Sequence, residues 1–535
     1  RRPGGRRGAL RAPTRTTRAA EGGEATTRSA PDGAAEKPLG EDSEAAPEER
    51  GLIVGLVAAA YVIWQMDKVN MSVAVLPMAA QFGWDSGDEG LIQSSIFWGY
   101  ASTQVLGGFL ATRFGGKRVL LAAVALWSLA TAAAPLAAAT STEAFLASRV
   151  LVGIGEGLAP ASGLRMVATW IPEEERSRAV STLGAGKTTG SIVGLLLAPV
   201  VITAFGWQAM FYSFGVLGLV WAAVWAVLGK DRDPPAAVPA VGHDASVALA
   251  SGEAKAEEVP IPWLRILSTP QLWGVVTAHF CHDWGGYALL TWTPTYLNQV
   301  LGYNLQGSSS ITVIPSVLAV TVAAFAGIAA DRLHGGGMDL TTVRKTFQGL
   351  GFFLPCAMLG FLGTLDGVDP SSPLPIVLLT VGIASGAFSY AGLGLVRRTR
   401  QRSNDCGECI CQLMQLSIWA RRLYSSHADL NAKYSGLVNG ISTTFGALAG
   451  VCSNAYAGYM LKTTGSWAQA IFLPSVALYI VGWVVYSALY DATPIDWDAP
   501  PGGGSSSSSS GGGRDPNVET EEAASAQQQP EVVPA

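Results

Sequence analysis

Charge is what this sequence has least of. Only 14% of its 535 residues are Asp, Glu, Lys or Arg, where soluble domains carry about 25%. With 49% hydrophobic residues and a mean hydropathy of +0.30, the chain is not an ordinary soluble globule, and no nucleic-acid partner is expected. Cysteine is sparse as well. The six residues Cys281, Cys356, Cys406, Cys409, Cys411 and Cys452 make no secreted disulfide framework. Cys406, Cys409 and Cys411 with His427 downstream are a weak zinc pattern, so no resident metal is expected. A phosphate loop is missing too. GAGKTTG at 184–190 would need a glycine where Ser181 stands, and no strand precedes it. No nucleophile, base and orienting group fall together in any apolar segment, so neither catalysis nor a cofactor is expected. Position 1 is Arg rather than Met, which places the expected start upstream.

Long apolar runs are there instead. Twelve of them lie near 52–78, 89–111, 118–138, 144–168, 179–203, 207–228, 271–299, 309–330, 346–365, 374–393, 434–460 and 467–489, each long enough for a bilayer core about 30 Å thick. A polar, Pro/Ala-rich break at 229–266 separates six from six. The expected fold is an all-α polytopic membrane protein with two six-helix pseudo-repeats, 51–228 and 267–490. Residues 1–50 begin Arg-rich and acid-poor, as organellar transit peptides do, with a disordered basic tail as the other reading. Residues 491–535 contain GGGSSSSSSGGG and are expected to form a flexible tail.

Loop charge sets an orientation. Arg113, Lys117, Arg118, Arg176, Arg178, Lys230, Arg332, Arg344 and Lys345 fall in even-to-odd connections, whereas Asp85, Asp88, Glu89, Glu143 and Asp366 fall in odd-to-even ones. Both termini are therefore expected on the positive, cytosolic or stromal side. The halves also echo each other, GWQAMF at 206–211 against SWAQAIF at 466–472. Glycines four apart recur in segments five (Gly186, Gly190, Gly194) and eleven (Gly436, Gly440, Gly446, Gly450), a spacing that lets helix backbones approach. Parallel repeats with a cavity between them are a layout of secondary transporters.

The few charges inside the apolar runs carry the chemistry. A charge at mid-membrane costs about 2.5–3.5 kcal/mol even on a lenient scale, so such residues line cavities or pair. Asp67 and Lys68 sit near the middle of the first run, either as a site or as a local pair that holds helices together. In segment four Arg149 and Glu156 are seven residues apart, two turns on one helical face, with Gly153 expected to keep that face open. A fixed cation beside a titratable acid suits anion binding coupled to a cation; a structural charge pair is the other reading. Segment seven puts His279 and His282 at i, i+3 with Asp283 beside them, suited to donating to an anion or moving a proton. Lys187 in segment five either faces the cavity or snorkels to an edge.

These strings together resemble the anion:cation symporter family of the major facilitator superfamily, which includes sialin, vesicular glutamate transporters and plant plastid phosphate transporters. The resemblance spans roughly residues 51–490 and rests on MDKVNMSVAVLPMA, GLIQSSIFWGY, VGIGEG, FGWQAMFYSFG, HFCHDWGGYALLTWTPTYL and KYSGLVNGIS. It implies that Lys68, where relatives have arginine, and Arg149 bind the anion, that His282 and Gln93 orient it, and that Glu156, with Asp67, serves coupling to Na+ or H+. Thr112 replaces the acid of a loop motif that Asp331 and Arg332 keep in the second half. The family's expected function is alternating-access transport of a small anion by a monomer in the plastid envelope or thylakoid, with inorganic phosphate favoured. Ascorbate or glutamate is the alternative, and a substrate sensor on the same scaffold a remoter one. Residues 394–423 have no counterpart in relatives; a retained intron is the favoured explanation and a lineage-specific insertion its rival.

Overall fold

The computed structural model describes residues 47–232, 261–365, 372–389, 430–431 and 434–498. The Arg-rich start, the 394–423 segment, the Cys406, Cys409 and Cys411 group with His427, and the Gly/Ser tract lie outside the described residues. Among the described residues the chain is helical throughout, in two sets of six. The first set is α1 (Pro47–Phe82), α2 (Ser86–Phe114), α3 (Gly116–Thr140), α4 (Thr142–Trp170), α5 (Glu173–Phe205) and α6 (Trp207–Leu228). The second is α7 (Pro270–Gln299), α8 (Leu305–Gly335), α9 (Leu340–Gly363), α10 (Leu374–Ser385), α11 (Ser435–Thr464) and α12 (Leu473–Leu489), preceded by a short helix at Trp263–Ser268. Prolines 77, 135, 160, 199, 294, 315 and 355 sit inside helices, which a membrane bundle tolerates because neighbouring groups take up the freed carbonyls.

Among the described residues, eight helices are long and apolar enough to cross a membrane by length and composition alone. The sequence expects twelve spans, and the difference has a physical basis. α10 is described over 12 residues, while α2, α7 and α11 are 29 to 30 residues long but carry many polar side chains. α11 packs on α2 across the junction of the halves and on α7 within its own half, so much of their surface meets protein rather than lipid and needs no continuous apolar belt. The apolar side chains left exposed, among them Leu136, Val220, Val227 and Phe325, stand on helices whose outer face would meet the bilayer.

Within the first half, α1 packs on α5 and α6, and α4 on α2 and α3. The segment-five glycines act as their spacing suggests. A Cβ on Gly186 would lie 2.7 Å from the Ala58 carbonyl, and one on Gly190 would strike that of Val62, so α5 lies directly against α1. Gly153 does not leave its face open. A Cβ there would collide with the Ile96 carbonyl of α2; the missing side chain lets α4 and α2 touch.

The seams between halves differ along the membrane normal. Away from the termini, a Cβ on Gly90 of α2 would sit 2.7 Å from both the Asn454 carbonyl and the Cα of Gly458 on α11. Lys462 there donates to Asp85 at 2.7 Å. Asp85 caps α2, accepting from the amides of Gly87 and Asp88. Its carboxyl is held below the usual range, first by the Lys462 hydrogen bond and then by backbone donors. Towards the termini, Gly436 and Gly440 of α11 have no atom of the described residues within 4 Å of an added Cβ. Among the described residues, the cavity between the halves is closed at one end and open at the other.

Two features depart from the sequence reading at the open end. The folded region runs beyond Tyr490: Trp497 is 2% exposed and donates to Thr269, Arg265 donates to the Trp497 carbonyl, and Ile495 bonds to Leu430. A large aromatic in an otherwise polar tail fixes it there. At the α2–α3 turn, Thr112 turns back to the Gly108 carbonyl, and Asp231, following α6, accepts from the Lys117 amide at 3.1 Å.

Candidate functional site

Helical spacing places Trp64 and Lys68 one turn apart on α1, facing the junction. The Lys68 ammonium is 3.9 Å from the ring centroid of Tyr100, 5.3 Å from Trp64, 5.4 Å from Phe97 and 5.7 Å from Tyr287. Three of these rings come from α1 and α2, and Tyr287 comes from α7 across the junction. Stacked faces of this kind stabilise a dehydrated cation. Phe97 also meets Tyr287 at 4.5 Å and fills the space left by Gly450 of α11.

One layer further from the open end, Lys68, Gln93 and Arg149 line a common pocket with Ser72, Phe97, Leu290 and Thr291. The volume open to a water's centre is about 20 Å³, enough for one ordered water. Arg149 is 1% exposed. Its Nη1 and Nη2, together with Nε2 and Oε1 of Gln93, have no hydrogen-bond partner. Buried donors without partners cost about 1–3 kcal/mol each, and an acceptor-rich anion would satisfy them. Arg149 is 5.7 Å from the Phe211 ring and interacts electrostatically with Asp67.

The four charges separate into two pairs. Asp67 points away from the pocket and is fixed, accepting from Thr131 at 2.5 Å and Asn70 at 2.6 Å. It balances Arg149 from behind. Glu156 is fully buried; its Oε2 accepts from Trp64 at 3.1 Å and lies 4.0 Å from the Lys68 ammonium, while its Oε1 is unpartnered. The local pairing of Asp67 with Lys68 is absent, although the two are adjacent in sequence, because consecutive helical residues point about 100° apart.

Towards the open end, α7 presents His279, 2.6 Å by Nδ1 from Ser442 of α11 and 3.4 Å by Nε2 from Asp283. Lys187 faces the cavity from α5, 5.6 Å from the Trp64 ring. His282 is placed elsewhere. It packs within the second half beside Phe352 and Gly386 and does not line the Lys68 pocket. Exposure falls along this axis, from an exposed Lys187 through 19% and 20% for His279 and Asp283 to 4% for Lys68 and 0% for Glu156.

The arrangement can bind a small oxyanion between fixed cations and match its charge with a cation on Glu156. Of the residues singled out in the sequence, the structure brings Lys68, Gln93, Arg149 and Glu156 together with Asp67 behind Arg149, and adds the rings of Phe97, Tyr100 and Tyr287, which the sequence reading does not name. Trp64, four residues before Lys68, was the one available signal.

A sequence model of the Major Facilitator Superfamily matches residues 53–400. Probable anion transporter 1, chloroplastic, of Oryza sativa subsp. japonica is 39% identical over 460 residues, 86% of this chain and 80% of the relative. Sodium-dependent phosphate transport protein 1, chloroplastic, of Arabidopsis thaliana is 39% identical, covering 82% of this chain and 78% of its own. The chloroplastic ascorbate transporter of the same plant is 38% identical, covering 82% and 74%. Among solved structures, the D-xylose-proton symporter superposes with a TM-score of 0.61 at 15% identity, covering 83% of this chain and 99% of its own. An inward-facing, unoccupied bacterial homologue of the lysosomal transporter Spinster gives 0.59 at 14%, covering 83% and 97%. These two likenesses show the fold.

Proposed function

Because the chain belongs to the Major Facilitator Superfamily, we propose that it is a secondary active transporter of a small anion, inorganic phosphate, working as a monomer in a plastid membrane. The observation that carries this reading is the buried, unpartnered guanidinium of Arg149 beside Gln93 and Lys68. Two parallel N–H groups of an arginine match two oxygens of a phosphate, and the caged ammonium of Lys68 adds a second charge. The relatives named as phosphate, ascorbate and anion transporters support the substrate class.

Glu156 takes the coupling cation, Na+ or H+, on its unpartnered oxygen. Neutralising it releases Lys68 from the 4.0 Å contact and makes its charge available to the anion. Asp67 keeps Arg149 balanced while the site is empty. Rocking of the halves about the junction then opens the Gly90–Gly458 seam and closes the terminus side.

The test is uptake of labelled phosphate by the full chain in proteoliposomes, under a Na+ or a pH gradient, with Arg149→Ala beside it. Gradient-driven uptake that the variant loses supports the reading and identifies the ion. Entry of ascorbate or glutamate with no phosphate uptake would move the substrate to the organic anions, and no uptake of any anion would overturn it.

A further inference from the structure

An ionised oxyanion answers only part of what the Lys68 pocket leaves open. Four buried side-chain atoms on its wall have no hydrogen-bond partner among the described residues: Nη1 and Nη2 of Arg149, and Nε2 and Oε1 of Gln93. The first three are donors, and an anion that can only accept satisfies all of them. Oε1 is an acceptor. Gln93 is 3% exposed, so solvent does not satisfy it, and an anionic oxygen set against it would repel it rather than bond to it. Turning the amide over exchanges its oxygen and nitrogen but still presents one acceptor to the pocket.

Ser72 repeats the demand. It lines the same pocket from α1 and is 4% exposed. Its Oγ donates to the Val69 carbonyl at 2.7 Å, which uses its single hydrogen. What this hydroxyl has left to offer an occupant is lone pairs. Beside the Lys68 ammonium and the three orphaned donors, the wall therefore carries two acceptors that ask for a hydrogen from the occupant.

We propose that the pocket selects an oxyanion carrying its own O–H group, and that Gln93, supported by Ser72, is the residue that reads this hydroxyl. The inference rests on the anion-binding reading above and narrows its substrate. Near neutral pH, phosphate and arsenate keep one or two hydrogens in both of their main ionised forms. Their hydroxyl donates to Oε1 of Gln93 while the ionised oxygens accept from Arg149, Lys68 and Nε2 of Gln93. Sulfate has the same tetrahedral shape but no hydrogen at that pH. Charge does not separate the two, since doubly ionised phosphate matches it. Sulfate would leave Oε1 buried against a negative oxygen, and a site built around a hydrogen bond rejects an analogue that lacks it far more strongly than one built on shape alone. No covalent bond is made or broken.

The test measures binding rather than transport. Labelled phosphate and labelled sulfate are bound separately, near neutral pH, to the purified full chain in lipid nanodiscs, with unlabelled arsenate as competitor. Arsenate should displace phosphate with an affinity within about threefold of phosphate itself, and sulfate should bind about thirtyfold more weakly. Gln93→Met, which removes the acceptor at similar length, should narrow the phosphate-to-sulfate ratio about fivefold or more, and Ser72→Ala should narrow it less in the same direction. Equal affinity for phosphate and sulfate in the unmodified protein overturns the proposal and leaves the anion reading standing. A ratio unchanged in both variants overturns the assignment to Gln93 and Ser72, and should Gln93→Met bind neither anion, Ser72→Ala decides. Failure of the unmodified protein to bind any of the three anions would instead defeat the phosphate reading, and this proposal with it.

Discussion

The two halves repeat one scaffold and divide the chemistry. At the end away from the termini, each half closes its core with an aromatic cluster at the start of its sixth helix. In the first, Trp207 meets Phe82 and Phe211 and donates to Gln81 at 2.7 Å. In the second, Trp467 meets Trp292 and Tyr296, and Phe472 also meets Tyr296. The cavity-facing side chains follow no such symmetry. The first half supplies the buried cations Lys68 and Arg149, whereas α7 supplies His279 and Asp283, 3.4 Å apart. A repeated fold needs the same packing in both copies; a binding site between them needs complementary, unequal contributions.

Arg149 offers the largest effect by which to break this comparison. Arg149→Ala should weaken phosphate uptake about a hundredfold, since two charge-assisted hydrogen bonds at about 1.5 kcal/mol each are lost. Arg149→Lys, which keeps the charge that balances Asp67, should recover part of it. Equal uptake by the unmodified protein and both variants would deny the first half its role.

The seams provide a second contrast. Gly90→Val would force a side chain against the Asn454 carbonyl and Gly458 and should cut uptake more than tenfold by preventing closure. Gly436→Ala, which meets nothing within 4 Å, should stay within about twofold. Cysteine labelling from the terminus side would show whether the first variant shifts the resting state.

The sixth helices themselves differ by one residue. WQAMF at 207–211 becomes WAQAIF at 467–472, and the added residue is absorbed by a π-helical turn at Ala468–Phe472, as a single insertion into a helix is. Deleting Ala468 should restore an α-turn, rotate Trp467 off Tyr296 and lower stability by about 1 kcal/mol, read as a lower melting temperature in detergent.

The smallest effect belongs to Asp85 and Lys462. The folded-state value of Asp85 is lowered, so its contribution is present above the unfolded value of about 3.9 and is lost as pH falls through the folded one. Between pH 5 and 8 this pair's contribution to the melting temperature should therefore be constant. Below about pH 4 the unmodified protein should lose its small advantage over Lys462→Gln, an advantage that salt also reduces.

How much of this was legible depends on what each residue would cost in lipid. Asp67, Lys68, Arg149 and Glu156 announce themselves, because a charge in an apolar run demands a partner or a cavity. Their pairing was not readable. Lys68 joins Glu156 of α4 rather than its neighbour Asp67, and only the packing of α4 against α1 decides that. Aromatic residues in apolar runs carry no comparable signal, so Phe97, Tyr100 and Tyr287 passed unnoticed. The helix count illustrates the reverse limit. α2, α7 and α11 were recognisable as spans although they fall short in hydropathy, since their polar residues mark the protein-facing junction. Gly153 read as an opening and proved to be a point of contact, because a missing side chain is equally a space and an invitation to a neighbouring backbone.

The ring of Tyr287 over Lys68 has a consequence for energetics. It is the one wall of the ammonium's cage that belongs to the moving partner half, so the dehydrated lysine is better sheltered in one orientation of the carrier than in the other. By thermodynamic linkage, any such preference must reappear as unequal anion affinity on the two faces of the membrane. A single aromatic side chain thereby contributes to where the empty carrier rests and which compartment it samples first.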